Sequence, residues 1–303
     1  DSPDIPLNVS RSYLQADGNV KKIASHITKK VADKLDEMFR KDRADFESKW
    51  NDMKIIIEYG MLTEDKFFDK AKKFAMYADT DGGLHTFEAY LESIKEQQTD
   101  KDKKTVVLYA SNKDAQHSYI QKAKSKGYSV LLLDSPLTSH LLQKLEQEHE
   151  NTTFARVDSD LIDNLIKKDE TRVAKLSDKQ KEELKTRLET IVPTEKFTLK
   201  LEDMDSTEAP LVITVPEFMR RMKEMQMTGG GGMMGMGDFP DMYDLIVNAN
   251  HPLASKILDT EDAEARSSAV NQALDLAKLQ QNLLHGEELT AFIARSYEML
   301  GNE

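Results

Sequence analysis

The sequence predicts an α+β protein that contains a small α/β unit, and three patterns support this fold class. Apolar residues recur every three to four positions over the first third of the chain, which is typical of amphipathic helices. Between residues 105 and 157, short β-branched runs alternate with helical stretches, which predicts a parallel sheet with right-handed crossovers. The last third combines short strands with long amphipathic segments, and this predicts an α+β domain that ends in a helical bundle.

The first segment, residues 19–98, is predicted to be a helical coil. One apolar stripe defines its long first helix: Val20, Ile23, Ile27, Val31, Leu35 and Met38. The same spacing repeats from Phe46 to Ile57, where Gly60 ends it. The run Asp81-Gly82-Gly83 predicts a turn before the last helix of the coil.

Residues 99–176 are predicted to form the small βαβαβ unit. Its strands are expected at 105–109, 129–133 and 153–157, with helices at 114–126 and 137–150. The turn after the first strand, residues 110–113, has no glycine. Because a dinucleotide site needs glycine for close approach of the backbone to phosphate, we interpret this unit as structural.

A second domain is predicted from residue 177 to residue 303. Ser177 and Gln180 fit a capping box, which opens a helix. Residues 197–201 alternate as a half-buried strand, and Leu211–Val215 is the expected hairpin or sheet partner. Pro216 then begins a methionine-rich helix.

Composition excludes several classes of function. Fifty-four acidic against 42 basic residues give a net charge of −12, which disfavours nucleic acid and anionic membranes as partners. Cysteine is absent, as a reducing cytoplasm permits, and no apolar run reaches the roughly 20 residues of a membrane span. The seven histidines form no metal-binding pair, and the Gly229–Gly232 run lacks the Lys-Ser/Thr of a phosphate loop. We therefore expect no metal site and no self-contained enzyme.

The methionine-rich helix carries a candidate protein-binding stripe, consisting of Phe218, Met219, Met222 and Met225. Methionine side chains are flexible and polarizable, so they suit apolar partners of different shapes. Basic residues on the same helix are expected to attract acidic segments of a partner: Arg220, Arg221 and Lys223. The alternative is that the stripe is ordinary core.

The last two helices are predicted to form a dimer interface, in a four-helix bundle with a second copy. Two stripes with steps of three or four residues define it: Val270, Leu274, Ala277, Gln281 and Leu284, then Leu289, Ile293, Tyr297 and Leu300. The candidate interface residues are the larger apolar ones among them: Val270, Leu274, Leu284, Leu289, Ile293, Tyr297 and Leu300. The alternative is that these helices dock only within their own chain.

Several stretches resemble the 90-kilodalton heat-shock chaperones, most closely the bacterial members. The most specific is Ile5-Pro6-Leu7-Asn8-Val9-Ser10-Arg11-Ser12-Tyr13-Leu14-Gln15, similar to the family's Leu-Pro-Leu-Asn-Leu/Val-Ser-Arg-Glu-x-Leu-Gln motif, with Ser12 in place of the usual Glu. The similarity continues through four further segments: Trp50–Asp52, Ile57–Met61, Lys126–Leu133 and Asn248–Leu253.

The resemblance implies a fragment of an ATP-dependent homodimeric chaperone of the cytoplasm. Residues 1–176 would be the rear of the middle domain, with residues 1–18 as its catalytic loop, and 177–303 the C-terminal dimerization domain. In the family the motif's Arg and Gln reach the γ-phosphate, so Arg11 and Gln15 inherit those roles toward ATP and Mg in the longer chain. The implied partners are unfolded or partly folded clients and co-chaperones. The competing interpretation is a non-enzymatic oligomeric scaffold or adaptor.

Overall fold

The structure is a computed structural model that describes residues 18–169, 172–228 and 242–301, of which 18–21 and 225–228 are described by their backbone only. Within these residues the helical coil comprises five helices and one hairpin: α1 (Gly18–Lys41), α2 (Arg43–Ser48), α3 (Trp50–Thr63), α4 (Asp65–Ala71), β1 (Met76–Ala78), β2 (Leu84–Thr86) and α5 (Phe87–Gln98). The predicted repeat from Phe46 to Ile57 is divided between α2 and α3, and both of these side chains are buried.

The predicted turn at residues 81–83 is confirmed as the hairpin between β1 and β2. Asp79 Oδ1 accepts the backbone N–H groups of Asp81 and Gly83, both at 2.8 Å. Gly82 has a φ of +91°, a conformation that glycine adopts without steric cost. These local contacts explain why the turn was visible in the sequence.

The small parallel sheet is also confirmed, with strand order β4-β3-β5. Its elements follow the predicted alternation: β3 (Thr105–Ala110), α6 (His117–Ser125), β4 (Val130–Leu132), α7 (Thr138–Glu148), β5 (Thr152–Arg156) and the short α8 (Ile162–Leu165). Val107 and Tyr109 of β3 pack into the core of the helical coil, while Val106 and Leu108 pack on the opposite face. The coil and this sheet together form the front unit, residues 18–169.

The rear unit, residues 172–301, is built on a second sheet with strand order β6-β8-β7. In the described ranges its elements are α9 (Asp178–Glu189), β6 (Phe197–Glu202), β7 (Leu211–Thr214), α10 (Glu217–Thr228), β8 (Tyr243–Asn248), α11 (Pro252–Asp259), α12 (Ala263–Gln280) and α13 (Gly286–Gly301). The predicted capping box of Ser177 and Gln180 is present at the start of α9.

Strand β8 was not predicted, and it changes the pairing of the rear sheet. It lies between β6, to which it is parallel, and β7, to which it is antiparallel. The residues of β8 from Leu245 to Asn248 are all buried, as expected of a central strand. The two predicted strands therefore share a sheet without pairing directly with each other.

Helices α9, α11 and α12 pack with the rear sheet into one apolar core that includes Leu184, Ile257 and Leu274.

Within the described ranges, none of the helices is long and apolar enough to span a lipid bilayer.

Candidate functional site

The described residues contain two of the three predicted sites, one on α10 and one on α12, α13 and the segment between them. Phe218, Met219 and Met222 lie on α10, and Met225 belongs to the same helix by its backbone. Arg11 and Gln15 lie outside the described residues. In the part of the chain that the structure describes, no three or more His, Asp or Glu residues are grouped to hold a metal ion.

Helix α10 turns four of its charged residues toward the protein and leaves Phe218 of its apolar stripe open to solvent. Glu217, Arg220, Arg221 and Glu224 follow the i, i+3, i+4, i+7 spacing of a single helix face. Arg220 is only 8% exposed, whereas Phe218 is 74% exposed. This polarity is the reverse of an ordinary surface helix, whose apolar stripe faces the core.

The carboxylate of Glu217 is the centre of a hydrogen-bond network. The Tyr109 hydroxyl donates to its Oε1 at 2.9 Å, and the Arg156 backbone N–H donates to its Oε2 at 3.2 Å. Arg220 Nη2 and Arg221 Nε donate to Oε1 at 2.6 and 2.7 Å, and Arg220 also contacts the Tyr109 hydroxyl. Strands β3 and β5 and helix α10 thus share one carboxylate, and hydrogen bonds to an ionised group are the stronger kind.

Arg221 joins α10 to helix α7 and strand β5. Its Nη1 donates to Glu146 Oε2 at 2.9 Å, and its Nη2 donates to Glu146 Oε1 at 3.3 Å and to the Phe154 carbonyl at 2.8 Å. Glu146 in turn accepts the Phe154 backbone N–H at 2.9 Å. The planar guanidinium matches this two-oxygen acceptor in a way that a lysine ammonium does not.

Glu224 forms the third link between α10 and the front unit. Its carboxylate accepts from Arg220 Nη1 at 2.5 Å and from the hydroxyl of Ser139 on α7. Arg156 lies 3.8 Å from the same carboxylate and is held in a two-pronged pair with Asp158, at 2.6 and 3.0 Å. The charges of α10 are therefore matched by charges of the front unit.

The protonation states in this network follow from its charges. Burial raises the pKa of Glu217, but the positive charges of Arg220 and Arg221 outweigh that effect, so its pKa lies below the ordinary value. Burial lowers the pKa of Arg221, but its bond to Glu146 and the charge of Glu217 raise it further. Burial, followed by the charge of Glu217, raises the pKa of Tyr109. At neutral pH the carboxylate and guanidinium groups are charged, and the phenol keeps its proton to donate.

The expectation that Arg220 and Arg221 attract acidic partner segments is therefore wrong. Both guanidinium groups point into the protein and are neutralised by Glu217, Glu146 and Glu224. The sequence showed that the helix was amphipathic, but it did not show which face was turned inward.

The apolar face of α10 is open to solvent at Phe218 and partly covered beyond it. Met219 and Met222 are half-buried. Met219 lines a cavity of about 330 Å³ together with Val215 and Leu283. The 74% exposure of Phe218 argues against the interpretation in which this stripe is ordinary core.

Three of the predicted dimer-interface residues lie in the interior of their own chain. Val270, Leu274 and Leu284 are at most 3% exposed, and the first two belong to the core of the rear unit. These side chains stabilise the fold of the chain itself.

The other four predicted interface residues lie on α13 and are accessible. Leu289 is half-buried, while Ile293, Tyr297 and Leu300 are 44%, 72% and 75% exposed. None of the residues of α13, from Gly286 to Gly301, is buried. Helices in proteins gain most of their stability from the packing of an apolar face, and the apolar face of α13 is largely uncovered within this chain.

Sequence reasoning missed the residues of the front unit that hold α10, namely Tyr109, Glu146 and Arg156. They lie far from α10 in the sequence, and nothing in their local pattern indicates a partner. A signal was present on α10 itself, because four of its five charged residues are as regularly spaced as its apolar ones. Two equally good stripes on one helix leave its orientation open.

Comparison with known proteins gives a consistent result over nearly the whole chain. The family model described as "Hsp90 protein" matches residues 1–301. Among curated proteins, a chaperone protein htpG of Bacteroides fragilis (strain 638R) is 41% identical over 367 residues, covering 99% of this chain and 54% of the relative.

Two further relatives show the range of similarity. A chaperone protein HtpG of Porphyromonas gingivalis (strain ATCC 33277) is 47% identical over 283 residues, covering 92% of this chain and 41% of the relative. A chaperone protein HtpG of Myxococcus xanthus is 24% identical over 301 residues, covering 95% of this chain and 44% of the relative. The chain thus spans about half the length of the curated relatives it matches.

Proposed function

Because the chain belongs to the Hsp90 family, we propose that it is the rear part of a cytoplasmic, ATP-dependent, homodimeric chaperone that binds unfolded or partly folded proteins. The observation that carries client binding is the 74% exposure of Phe218 on a helix whose arginines are turned inward. Exposed apolar residues on an ordered helix offer the contact that unfolded chains need.

The methionines next to Phe218 suit clients of many sequences. Met219 and Met222 are half-buried, so they can change rotamer without leaving the surface. In a dimer, two such faces could engage one client, and their combined affinity would exceed that of either alone. Weak contacts can therefore hold clients without a precise fit.

The double variant Phe218→Ser and Met222→Ser tests client binding. We expect its affinity for an unfolded client to fall about tenfold, because apolar anchors dominate such interfaces. The measurement is suppression of client aggregation by light scattering, together with the melting temperature of the variant. Val173→Ser is the matched control, since Val173 is 78% exposed and lies outside α10. Unchanged suppression by the double variant would refute the proposal.

We also propose that α13 supplies the dimer interface through Ile293, Tyr297 and Leu300. Burying three such side chains contributes roughly 1.5–3 kcal/mol each before the entropy of association is deducted. The lack of any buried residue on α13 within one chain supports this assignment.

In the longer protein, we propose that Arg11 and Gln15 act on the γ-phosphate of ATP, which is bound with Mg outside this fragment. A guanidinium that stabilises charge on a transferring phosphoryl group accelerates its transfer by up to about 10³–10⁵. We expect Arg11→Ala in the longer protein to lower ATP turnover, and the fragment alone to hydrolyse no ATP. Unchanged turnover of the Arg11→Ala protein would remove the assignment.

A further inference from the structure

Helix α10 belongs to the rear unit by its backbone but is held by the front unit through its side chains. It follows strand β7 after only two residues, Val215 and Pro216. The N–H of Val215 already donates to the Asp158 carbonyl of the front unit at 2.9 Å. The bonds of Glu217, Arg221 and their neighbours then reach strands β3 and β5 and helix α7.

We propose that Glu217, Arg220 and Arg221 are positioning residues that fix the apolar face of α10 outward on the front unit, an inference that rests on the proposed client binding. The geometry of the helix gives the reason. Phe218 is one residue after Glu217, and Met222 is one after Arg221, so the apolar stripe is turned about 100° from the charged stripe. Anchoring the charged stripe inward therefore sets where the apolar stripe faces.

The attachment is cooperative, because its members share acceptors. Glu217 Oε1 accepts from Tyr109, Arg220 and Arg221 together. Removing one partner of such a network leaves the others as buried charges without full compensation, which is strongly unfavourable. Partial detachment is thus disfavoured, and α10 is either docked as a whole or released.

This attachment also ties the client face to the orientation of the front unit. When the two units move relative to each other, α10 must either travel with the front unit or lose its bonds to Tyr109, Glu146 and Phe154. The front unit therefore determines where the client face points.

The test uses the fragment with Arg221→Gln, which removes the charge that pairs with Glu146 and Glu217. We expect amide hydrogen exchange over residues 220–228 to become about tenfold faster, since exchange reports local opening, while α9 and β8 keep their protection. Client affinity is expected to fall about fivefold although Phe218 and Met222 are unchanged.

Two further variants separate positioning from general damage. Arg221→Lys keeps the charge but not the two-pronged geometry, so we expect intermediate exchange and affinity. Glu146→Gln removes the negative charge that pairs with Arg221, this time from the front unit. The amide oxygen of the new side chain can still accept the Phe154 N–H. We therefore expect the same changes in exchange and client affinity as in Arg221→Gln. If Arg221→Gln does not fold, Glu146→Gln decides the outcome.

Arg187→Gln is the matched control within the rear unit. Arg187 pairs with Glu183 at 2.6 Å and donates to the Ile257 carbonyl at 3.1 Å, both in the rear unit. Arg187→Gln should therefore leave both the amide hydrogen exchange of α10 and the affinity for clients unchanged.

The positioning proposal is overturned if α10 stays protected in both Arg221→Gln and Glu146→Gln, or if α10 is released without any loss of client affinity. A wild-type fragment that binds no client would instead overturn the proposed function. In that case, faster exchange in Arg221→Gln would still support the attachment of α10 to the front unit, and unchanged exchange would refute it.

Discussion

Helices α10 and α13 both expose apolar side chains, but different contacts hold them in place. Helix α10 is anchored by a network in which Arg220 is 8% exposed. Helix α13 has no buried residue and contacts α12 through polar groups, including Arg295 with Asp275 at 2.5 Å and Gln272 with Ser296 at 3.1 Å.

The difference fits the two kinds of partner that we propose for these helices. A helix that is docked through its charges can leave apolar side chains exposed, so we expect α10 to stay docked whether or not a client is bound. A helix without any buried side chain depends on a partner for its apolar burial, as in obligate dimers. We therefore propose transient partners for α10 and a permanent partner for α13.

The largest effect is expected for Ile293→Asp on α13. Burying an unpaired carboxylate at an interface is strongly unfavourable, so the dimer should dissociate about 100-fold more readily. Sedimentation equilibrium of the fragment measures this change. The comparison variant is Phe218→Asp on α10, which should leave the dimer intact. Equal dimerization of wild type and Ile293→Asp would contradict the assignment of α13.

The second-largest effect is expected for Glu217→Gln on α10. Removing this carboxylate leaves the buried Arg220 with Glu224 alone as its counter-charge, which should cost about 2–3 kcal/mol of the free energy of unfolding, somewhat less than a fully buried pair because Glu217 is partly exposed. Urea denaturation followed by circular dichroism measures it. A loss below about 0.5 kcal/mol, typical of exposed pairs, would show that the network does not hold α10.

Acid should release α10 through the same carboxylate. The pKa of Glu217 is below its ordinary value of 4.5, so its contribution to stability is complete above pH 4.5 and is lost as the pH falls through the lowered pKa. Because the chain has no cysteine, Phe218→Cys gives a single attachment point for a spin label. Label mobility should stay low at pH 5 and increase as the pH falls below 4.5, within about one or two units of the ordinary carboxyl pKa. With Glu217→Gln added, mobility should already be high at pH 6.

The smallest effect is expected for Arg295→Gln, between α12 and α13. Its pair with Asp275 is partly exposed to solvent, and such pairs contribute up to about 1 kcal/mol. The dimer should therefore weaken no more than about fivefold by sedimentation. If Arg295→Gln weakened the dimer as much as Ile293→Asp, α13 would depend on its polar contacts, as α10 does. The contrast between the two helices would then be wrong.

Local patterns in the sequence determined much of the fold. The turn at residues 81–83, the capping box of Ser177 and the alternation of strands and helices from Thr105 onward were all readable, because each depends on neighbours in the chain. Strand β8 was missed, since its place between β6 and β7 depends on pairing with distant residues. The family was also readable, from the Ile5–Gln15 motif.

The sequence by itself also determined that residues 216–227 form an amphipathic helix with Phe218 and the methionines on one stripe, and the structure has this helix at Glu217–Thr228. Only the tertiary structure decided which stripe is turned inward, because that depends on Tyr109, Glu146 and Arg156, which are distant in the sequence. Likewise, Val270 and Ile293 have similar helical spacing, yet one lies in the core and the other at the surface. Periodicity defines the faces of a helix, whereas the charges and shapes of the surfaces around it determine which face is buried.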